Sequence, residues 1–209
     1  MKLSHRLAGS AAVTALLSGC ATPVPPPVVN LAEHQCVTNP NLAAAQQLVF
    51  TPDKSQNVTV IYDDTTPCLE DQPGSRSLYR VFALPVPTQS YLIAIGSEIW
   101  GSTLFAPRVQ FLGSDGRVKR TVARPDFVFR RKSLSTLLRS HSDEAYLVIA
   151  SDPQVVGLRN ILVDDTTGAM PIVVGRVAFI MYTGADAMST QLFSHGGRVT
   201  VSLEPLPTK

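Results

Sequence analysis

The chain has 209 residues, of which 18 are Lys or Arg, 16 are Asp or Glu, and 44% are hydrophobic. That length suits a single domain with some chain to spare, and the apolar share is ample for one core. A formal net charge of +2 gives no support to nucleic-acid binding.

The amino terminus has the pattern of a secretory leader. Lys2 and Arg6 are followed by an apolar stretch over residues 7–17 and then by small residues, as in export signals. The stretch is too short to span a bilayer, which takes about 20 apolar residues. We expect residues 1–19 to be a signal peptide that is removed on export.

Residues 17–20 read Leu-Ser-Gly-Cys, which resembles the bacterial lipobox. The resemblance implies that Cys20 becomes the first residue and carries acyl chains that anchor the protein in a membrane. Ala21 follows, where aspartate is the usual inner-membrane retention signal, so we expect the periplasmic face of the outer membrane. An ordinary signal peptide with an incidental cysteine is the alternative.

The segment after Cys20 is predicted to be a tether. Four prolines lie among residues 23–27, and such a composition favours a stiff, extended polyproline II spacer. We therefore expect a lipidated, proline-rich tether over residues 20–40 and a folded domain over 41–209. Loss of Lys2 and Arg6 leaves 18 − 2 = 16 basic against 16 acidic residues, so the exported chain has no net charge.

Cys36 and Cys68 are the cysteines that remain. In an exported protein such a pair is most simply a disulfide, worth about 3–4 kcal/mol by the chain-entropy model for this loop size. Free thiols and a metal site that includes His34 are the alternatives. No second ligand pair has zinc spacing, so we expect no metal and no cofactor.

Strand patterns dominate the rest of the chain. A short helix is predicted over 41–49 with Asn41 as its N-cap, and a second over 133–140, where leucines follow helical spacing. The predicted strands are short and bounded by Gly, Pro, Asp or Ser: 58–62, 79–84, 90–99, 108–112, 117–122, 145–150, 171–182 and 198–203. We expect a mainly β protein, an antiparallel, jelly-roll-like β-sandwich with two short helices. An open barrel is the alternative.

Two near-copies, "DDTTP" at 63–67 and "DDTTG" at 164–168, place paired carboxylates about a hundred residues apart. Calcium binding is one interpretation. Turn formation is favoured, because Asp and Thr before Pro or Gly suit a loop that follows a strand.

Basic residues cluster between Arg117 and Arg139, where eight are opposed by Asp126 alone. A solvated surface is the commoner meaning of such a cluster. The functional interpretation is an interface for an anionic partner or another envelope protein, for which we select Arg130, Arg131 and Lys132.

Trp100 is the sole tryptophan and stands at the end of a predicted strand. A lone aromatic in an apolar stretch is more often a core residue. The functional interpretation is a stacking platform for a glycan ligand.

Enzyme signatures are missing from the sequence. It contains no Gly-x-Ser-x-Gly, no His-Glu-x-x-His and no Gly-rich phosphate loop, and His34, His141 and His195 have no partner at a catalytic spacing. We expect no catalytic activity, although a glycosidase built on two carboxylates would leave no such signature.

Residues 82–129, with Phe105-Ala106-Pro107-Arg108-Val109 at their centre, resemble the maltose operon periplasmic protein (MalM) family. The likeness extends in order to segments 41–52, 133–153 and 194–203. It implies a non-enzymatic periplasmic accessory of maltose or maltodextrin transport, acting by glycan binding or by docking to transport components. A structural envelope scaffold that binds another envelope protein through the basic surface is the alternative.

Overall fold

The computed structural model describes residues 29–51, 54–86, 90–122, 124–130, 132–175 and 177–206, with the backbone alone at 162–167, 174 and 182–187. The predicted signal peptide, Cys20 and Arg131 lie outside the described residues. Strands make up most of the described chain, and its helices are single 3₁₀ turns of three residues. The mainly β prediction is confirmed.

Fifteen strands are described. In chain order they are β1 (Cys36–Val37), β2 (Gln46–Gln47), β3 (Gln56–Tyr62), β4 (Cys68–Gln72), β5 (Ser75–Ala83), β6 (Tyr91–Trp100), β7 (Thr103–Phe105), β8 (Pro107–Leu112), β9 (Val118–Val122), β10 (Val128–Arg130), β11 (Ser133–Arg139), β12 (Tyr146–Ser151), β13 (Arg159–Val174), β14 (Val177–Ser194) and β15 (Gly197–Pro205).

These strands form two sheets. The first has the order β1-β4-β5-β12-β8-β9, with β2 also beside β5. The second has the order β10-β11-β6-β7-β14-β13, and β15 pairs with both β6 and β3. Most pairs are antiparallel, while β1–β4, β2–β5 and β7–β14 are short parallel pairs.

The hydrophobic core lies between the two sheets. Its buried side chains come from both, with Tyr62 and Ile95 from the second sheet and Phe111 and Ile149 from the first. The Tyr62 hydroxyl crosses the core and donates a hydrogen bond of 3.0 Å to the Ile149 carbonyl oxygen. The fold is therefore a β-sandwich, as predicted.

Clean alternation in the sequence places the last strand correctly. Val199, Val201 and Leu203 are buried on one face of β15, because successive side chains of a strand point to opposite faces. This strand lies between β6 and β3 in the second sheet.

The helix predicted over residues 133–140 is wrong, since residues 133–139 form strand β11. That strand pairs with β6 over seven positions, from Ser133↔Glu98 to Arg139↔Leu92. Leu134 is 5% exposed and Leu137 is 48% exposed, so the burial follows a period of two. Pairing with a central strand has overridden a leucine spacing that also fits a helix.

The helix predicted over residues 41–49 is shortened to one 3₁₀ turn, Leu42–Ala44. Asn41 does cap it, because its side chain accepts a hydrogen bond of 3.1 Å from the Ala43 amide. The turn ends where β2 pairs with β5. Leu31, within the predicted tether, packs into the core, so the folded body begins before residue 41.

One of the two Asp-Asp-Thr-Thr motifs is a turn and the other is not. Asp63 accepts hydrogen bonds from the amide and hydroxyl of Thr65, at 3.0 and 2.7 Å, which closes the turn before β4. The copy at 164–168 lies inside β13. Strand pairing on β14 decides its conformation, so the prediction of a turn there is wrong.

Candidate functional site: a protruding apolar ribbon

Cys36 and Cys68 form the predicted disulfide, with Cα atoms 4.4 Å apart. The two residues are direct neighbours in the parallel β1–β4 pair. Both sulfurs are bonded to each other, so neither is a metal ligand. The ring nitrogens of His34 lie 2.9 and 3.0 Å from the backbone carbonyl oxygens of Asn30 and Asp64.

Trp100 lies at the end of β6 and is half-buried, outside the core that its sequence context favours. The guanidinium carbon of Arg198 lies 5.4 Å from its ring centroid, and Arg198 also contacts Glu98 at 3.4 Å. One face of the indole therefore meets a cation. A sugar would have to displace Arg198 or stack on the opposite face, so glycan binding at Trp100 stays a prediction.

Arg120, inside the predicted basic surface, is tied to the fold. Its Nε and Nη2 atoms donate to the two carboxylate oxygens of Glu144, at 2.9 and 3.1 Å, and the Glu144 side chain is fully buried. The guanidinium also stacks 4.2 Å from the ring centroid of Phe111. Arg120 therefore stabilises the sandwich, and its guanidinium is engaged by Glu144 and Phe111.

Arg130 and Lys132 are exposed at the turn between β10 and β11, and Arg131 between them is outside the described residues. Lys119 lies 3.9 Å from Asp143, and Arg139 donates to the Ser90 hydroxyl at 3.5 Å. Fewer side chains therefore form the cationic surface than the eight basic residues of the sequence cluster. Its role as an interface stays a prediction.

A Ser–His pair was not predicted, because the two residues are 44 positions apart. The Ser151 Oγ lies 2.7 Å from the Nδ1 of His195 and accepts a hydrogen bond of 3.0 Å from the Leu78 amide. The Ser151 hydroxyl and the His195 imidazole share this hydrogen bond, and burial lowers the pKa of the imidazole. Ser151 is fully buried, so its hydroxyl cannot reach a substrate. The pair links β12 to the loop before β15.

A cavity of about 340 Å³ opens along β5, between the ends of β4 and β2. This is the lower end of the size range for ligand sites. Its lining combines apolar and polar residues: Val37, Asn41, Ala44, Gln46, Pro67, Tyr79, Arg80 and Val81. The Tyr79 hydroxyl already accepts from the Asn41 amide, and the unpaired Arg80 Nε is closed to solvent, so few polar groups converge on a ligand.

Neither a metal site nor a spanning helix emerges from the described residues. Across those ranges, no three His, Cys, Asp or Glu side chains are grouped so that they could hold a metal ion. In the same ranges, no helix has the length and apolar character that a membrane span needs.

The most distinctive feature is the hairpin of β13 and β14, which we call the ribbon. Its pairing runs without a slip from Arg159↔Leu192 to Val174↔Val177, a length of roughly 50 Å at 3.4 Å per residue. Gly175, which follows the last pair at the tip, has φ of 62°. Residues 171–182, predicted as one strand, are thus the two sides of the ribbon's tip.

The ribbon is joined to the sandwich at one end. The last residues of β14 pair in parallel with β7, from Leu192↔Thr103 to Ser194↔Phe105. Phe193, on this shared segment, is buried in the core, so the base of the ribbon is fixed by packing. From there the strands extend away as a two-stranded arm, with β13 at the end of the sheet order.

Large apolar side chains on the ribbon are 42–72% exposed. They are Ile161, Met170, Val173, Val177, Phe179, Ile180, Met181, Met188 and Leu192. Because side chains alternate along a strand, Phe179 and Met181 lie on one face of the ribbon and Ile180 on the other. Both faces of the tip are therefore apolar, as a surface buried in a larger assembly would be.

No family model, curated protein or solved structure matches this chain. Function therefore has to be argued from the arrangement itself. The ribbon combines exposed apolar surface with strand edges that, beyond β7, pair with no further strand among the described residues. Both are features of association.

Proposed function

We propose that this protein is a non-enzymatic accessory of the bacterial envelope, anchored through an acylated Cys20 at the periplasmic face of the outer membrane. The lipobox-like sequence at 17–20 supports the anchor. The resemblance of residues 82–129 to the MalM family supports a role in maltose or maltodextrin transport. The protein acts by docking to envelope proteins, with the ribbon as its docking element.

The observation that carries this proposal is the apolar surface of the ribbon. Soluble monomers expose single apolar side chains commonly, but a contiguous patch beyond a few hundred Å² marks an interaction site. A two-stranded ribbon is also marginally stable in water without further packing. A ribbon with both properties is best explained as one that a partner covers in the functional assembly.

Docking is favoured over glycan capture as the mode of action. Trp100 already faces Arg198, and the cavity beside β5 presents few free polar groups. The ribbon, by contrast, presents many large apolar side chains to solvent.

Cross-linking in intact cells tests the ribbon as a docking element. A photoreactive amino acid replaces Ile180, which is 58% exposed on the ribbon, in the full-length chain. Val118, 53% exposed on β9 of the sandwich, is the matched control position. We expect ultraviolet light to give discrete protein adducts from position 180 and none from position 118. Equal adduct patterns at both positions, or none at position 180, would remove the ribbon from the proposed function.

A second candidate is a structural envelope scaffold that binds another envelope protein through the basic surface, favoured by the exposure of Arg130 and Lys132. Reversal of both charges to Glu should then abolish co-purification of that partner. Unchanged co-purification would eliminate this candidate and leave the ribbon untouched.

A further inference from the structure

We infer that the partner covering the ribbon is a second copy of this chain, paired strand to strand along the outer edge of β14. The inference rests on the proposed function in one respect, namely that the ribbon is a docking element. It adds the identity of the partner, the edge that is used and the register.

Two backbone hydrogen bonds at the base of the ribbon decide which amides face outward. The Leu192 amide donates to the Ser102 carbonyl oxygen at 2.9 Å, on the outer side of β14, and the Phe193 amide donates to the Leu158 carbonyl oxygen at 3.0 Å, on the inner side. In antiparallel strands the direction alternates with each residue. Since the register to Val177 has no slip, every even-numbered residue from 178 to 190 turns its amide and carbonyl outward.

The outer edge of β13 is blocked where the corresponding edge of β14 is open. Pro171 pairs with Ile180, so both residues belong to the outward-facing set. Proline has no amide hydrogen and is placed on sheet edges that do not accept another strand. Strand β14 contains no proline from 177 to 194, which leaves its edge as the one able to add a strand.

A two-fold axis through Gly184 pairs the outward groups from residue 180 to residue 188. Two antiparallel copies of β14 then form these pairs between copies: 180↔188, 182↔186 and 184↔184. The pairing ends before the base of the ribbon, because β7 already lies beside Leu192 on this edge. Five residues on each strand offer one donor and one acceptor, which allows about 10 main-chain hydrogen bonds, the number in a typical interface. A two-fold interface of this kind closes on itself and leads to a dimer, not a fibre.

The same register pairs apolar side chains with apolar side chains. It places Ile180, 58% exposed, directly opposite Met188 of the second copy, 72% exposed, and does so twice by symmetry. Between residues 183 and 191, Met188 is the sole large apolar residue of the sequence.

A bilayer explains the ribbon less well than a second copy. Lipid would cover the apolar faces, but open strand edges do not occur in hydrocarbon, because each unpaired amide or carbonyl there costs several kcal/mol. Pairing of β14 with β14 satisfies those groups before any face is covered.

Self-cross-linking of Gly184→Cys tests the axis directly. Residues in a hydrogen-bonded antiparallel pair have Cα atoms about 5.5 Å apart, within the range that a disulfide bridges. Mild oxidation of intact cells that express the full-length variant should give a covalent dimer at least tenfold above wild type on a non-reducing gel. Gly168→Cys, on β13 and separated from the second copy by β14, is the control and should stay at the wild-type level.

A second pair of variants separates specific pairing from chance collision. In the Gly184→Cys background, Met188→Asp should reduce the covalent dimer at least tenfold, because it places a carboxylate against Ile180. Met170→Asp, at a methionine on β13 that is 57% exposed, should leave the dimer unchanged.

The outcomes also separate this inference from the proposed function. Failure of Gly184→Cys to cross-link, or equal cross-linking by Gly168→Cys, overturns the second copy as partner. If position 180 still forms adducts with a different protein, docking through the ribbon stands and only the partner is wrong. If position 180 forms adducts with lipid alone, or with nothing, both proposals fall.

Discussion

Removing the guanidinium of Arg120 should destabilise the sandwich far more than a surface charge change would. The Glu144 carboxylate is fully buried, and apart from Arg120 it accepts a backbone hydrogen bond of 3.1 Å from His141. Arg120→Met keeps much of the aliphatic volume but removes the permanent counter-charge of that carboxylate. The His141 imidazole, with Nδ1 at 3.6 Å, is a counter-charge only when it is protonated. Breaking one side of a buried ion pair in this way costs about 3–5 kcal/mol.

Urea denaturation followed by tryptophan fluorescence measures this cost. With a urea m-value of about 2 kcal/mol/M, a loss of about 3–5 kcal/mol lowers the unfolding midpoint by about 1.5–2.5 M. Glu144→Gln should cost less, about 1–2 kcal/mol, because the amide oxygen still accepts from Arg120, which is partly hydrated.

The double variant Arg120→Met with Glu144→Leu is the decisive control. If an unpaired buried charge causes the loss, removal of both partners should restore most of the stability. A single variant within 1 kcal/mol of wild type, or a double variant no more stable than Arg120→Met, would refute the reasoning.

Three further outcomes can be measured on the same protein. Reduction of the Cys36–Cys68 disulfide should lower the free energy of unfolding by about 3–4 kcal/mol, and an unchanged urea midpoint in reductant would contradict a stabilising role. His195 has its folded-state pKa lowered by burial, so the unfolded chain binds more protons and stability should fall as pH drops from 7 through about 6.5 and below; His195→Asn should flatten this part of the pH profile, and an unaltered profile would show that another group is responsible. Leu134→Ala should cost about 2–5 kcal/mol and Leu137→Ala less than about 1 kcal/mol, whereas similar losses for both would contradict the strand at 133–139.

Local sequence patterns predict those parts of the fold whose structure does not depend on which distant strand they pair with. Alternation identifies Val199, Val201 and Leu203 as one buried face, and the export context identifies the Cys36–Cys68 bond. The helix prediction is wrong at residues 133–139 because the spacing of their leucines fits both a helix and a strand. Only the pairing with β6 selects the strand.

The ribbon could not be predicted from the sequence, for a related reason. Residues 171–182 form a nearly continuous apolar run, and such a run is typical of a buried strand. The Gly175-Arg176 dipeptide between two β-favouring segments was the one signal for a hairpin turn. No local pattern shows whether the resulting strands pack on the body or leave it, because that depends on the short parallel pair with β7 at their base.

The position of the disulfide decides how the sandwich responds to a pull on its amino-terminal end. Residues 29–35 can peel away once Arg76 releases the carbonyl oxygens of Leu31 and Ala32, but Cys36 is bonded to Cys68. Tension then passes through the sulfur bridge into β4 and bypasses the 31 residues in between. Strand β3 lies in that bypassed loop and is an edge strand of the second sheet, where it pairs with β15. It therefore carries no load. The disulfide thus keeps a pull on the amino-terminal end from separating β3 from β15.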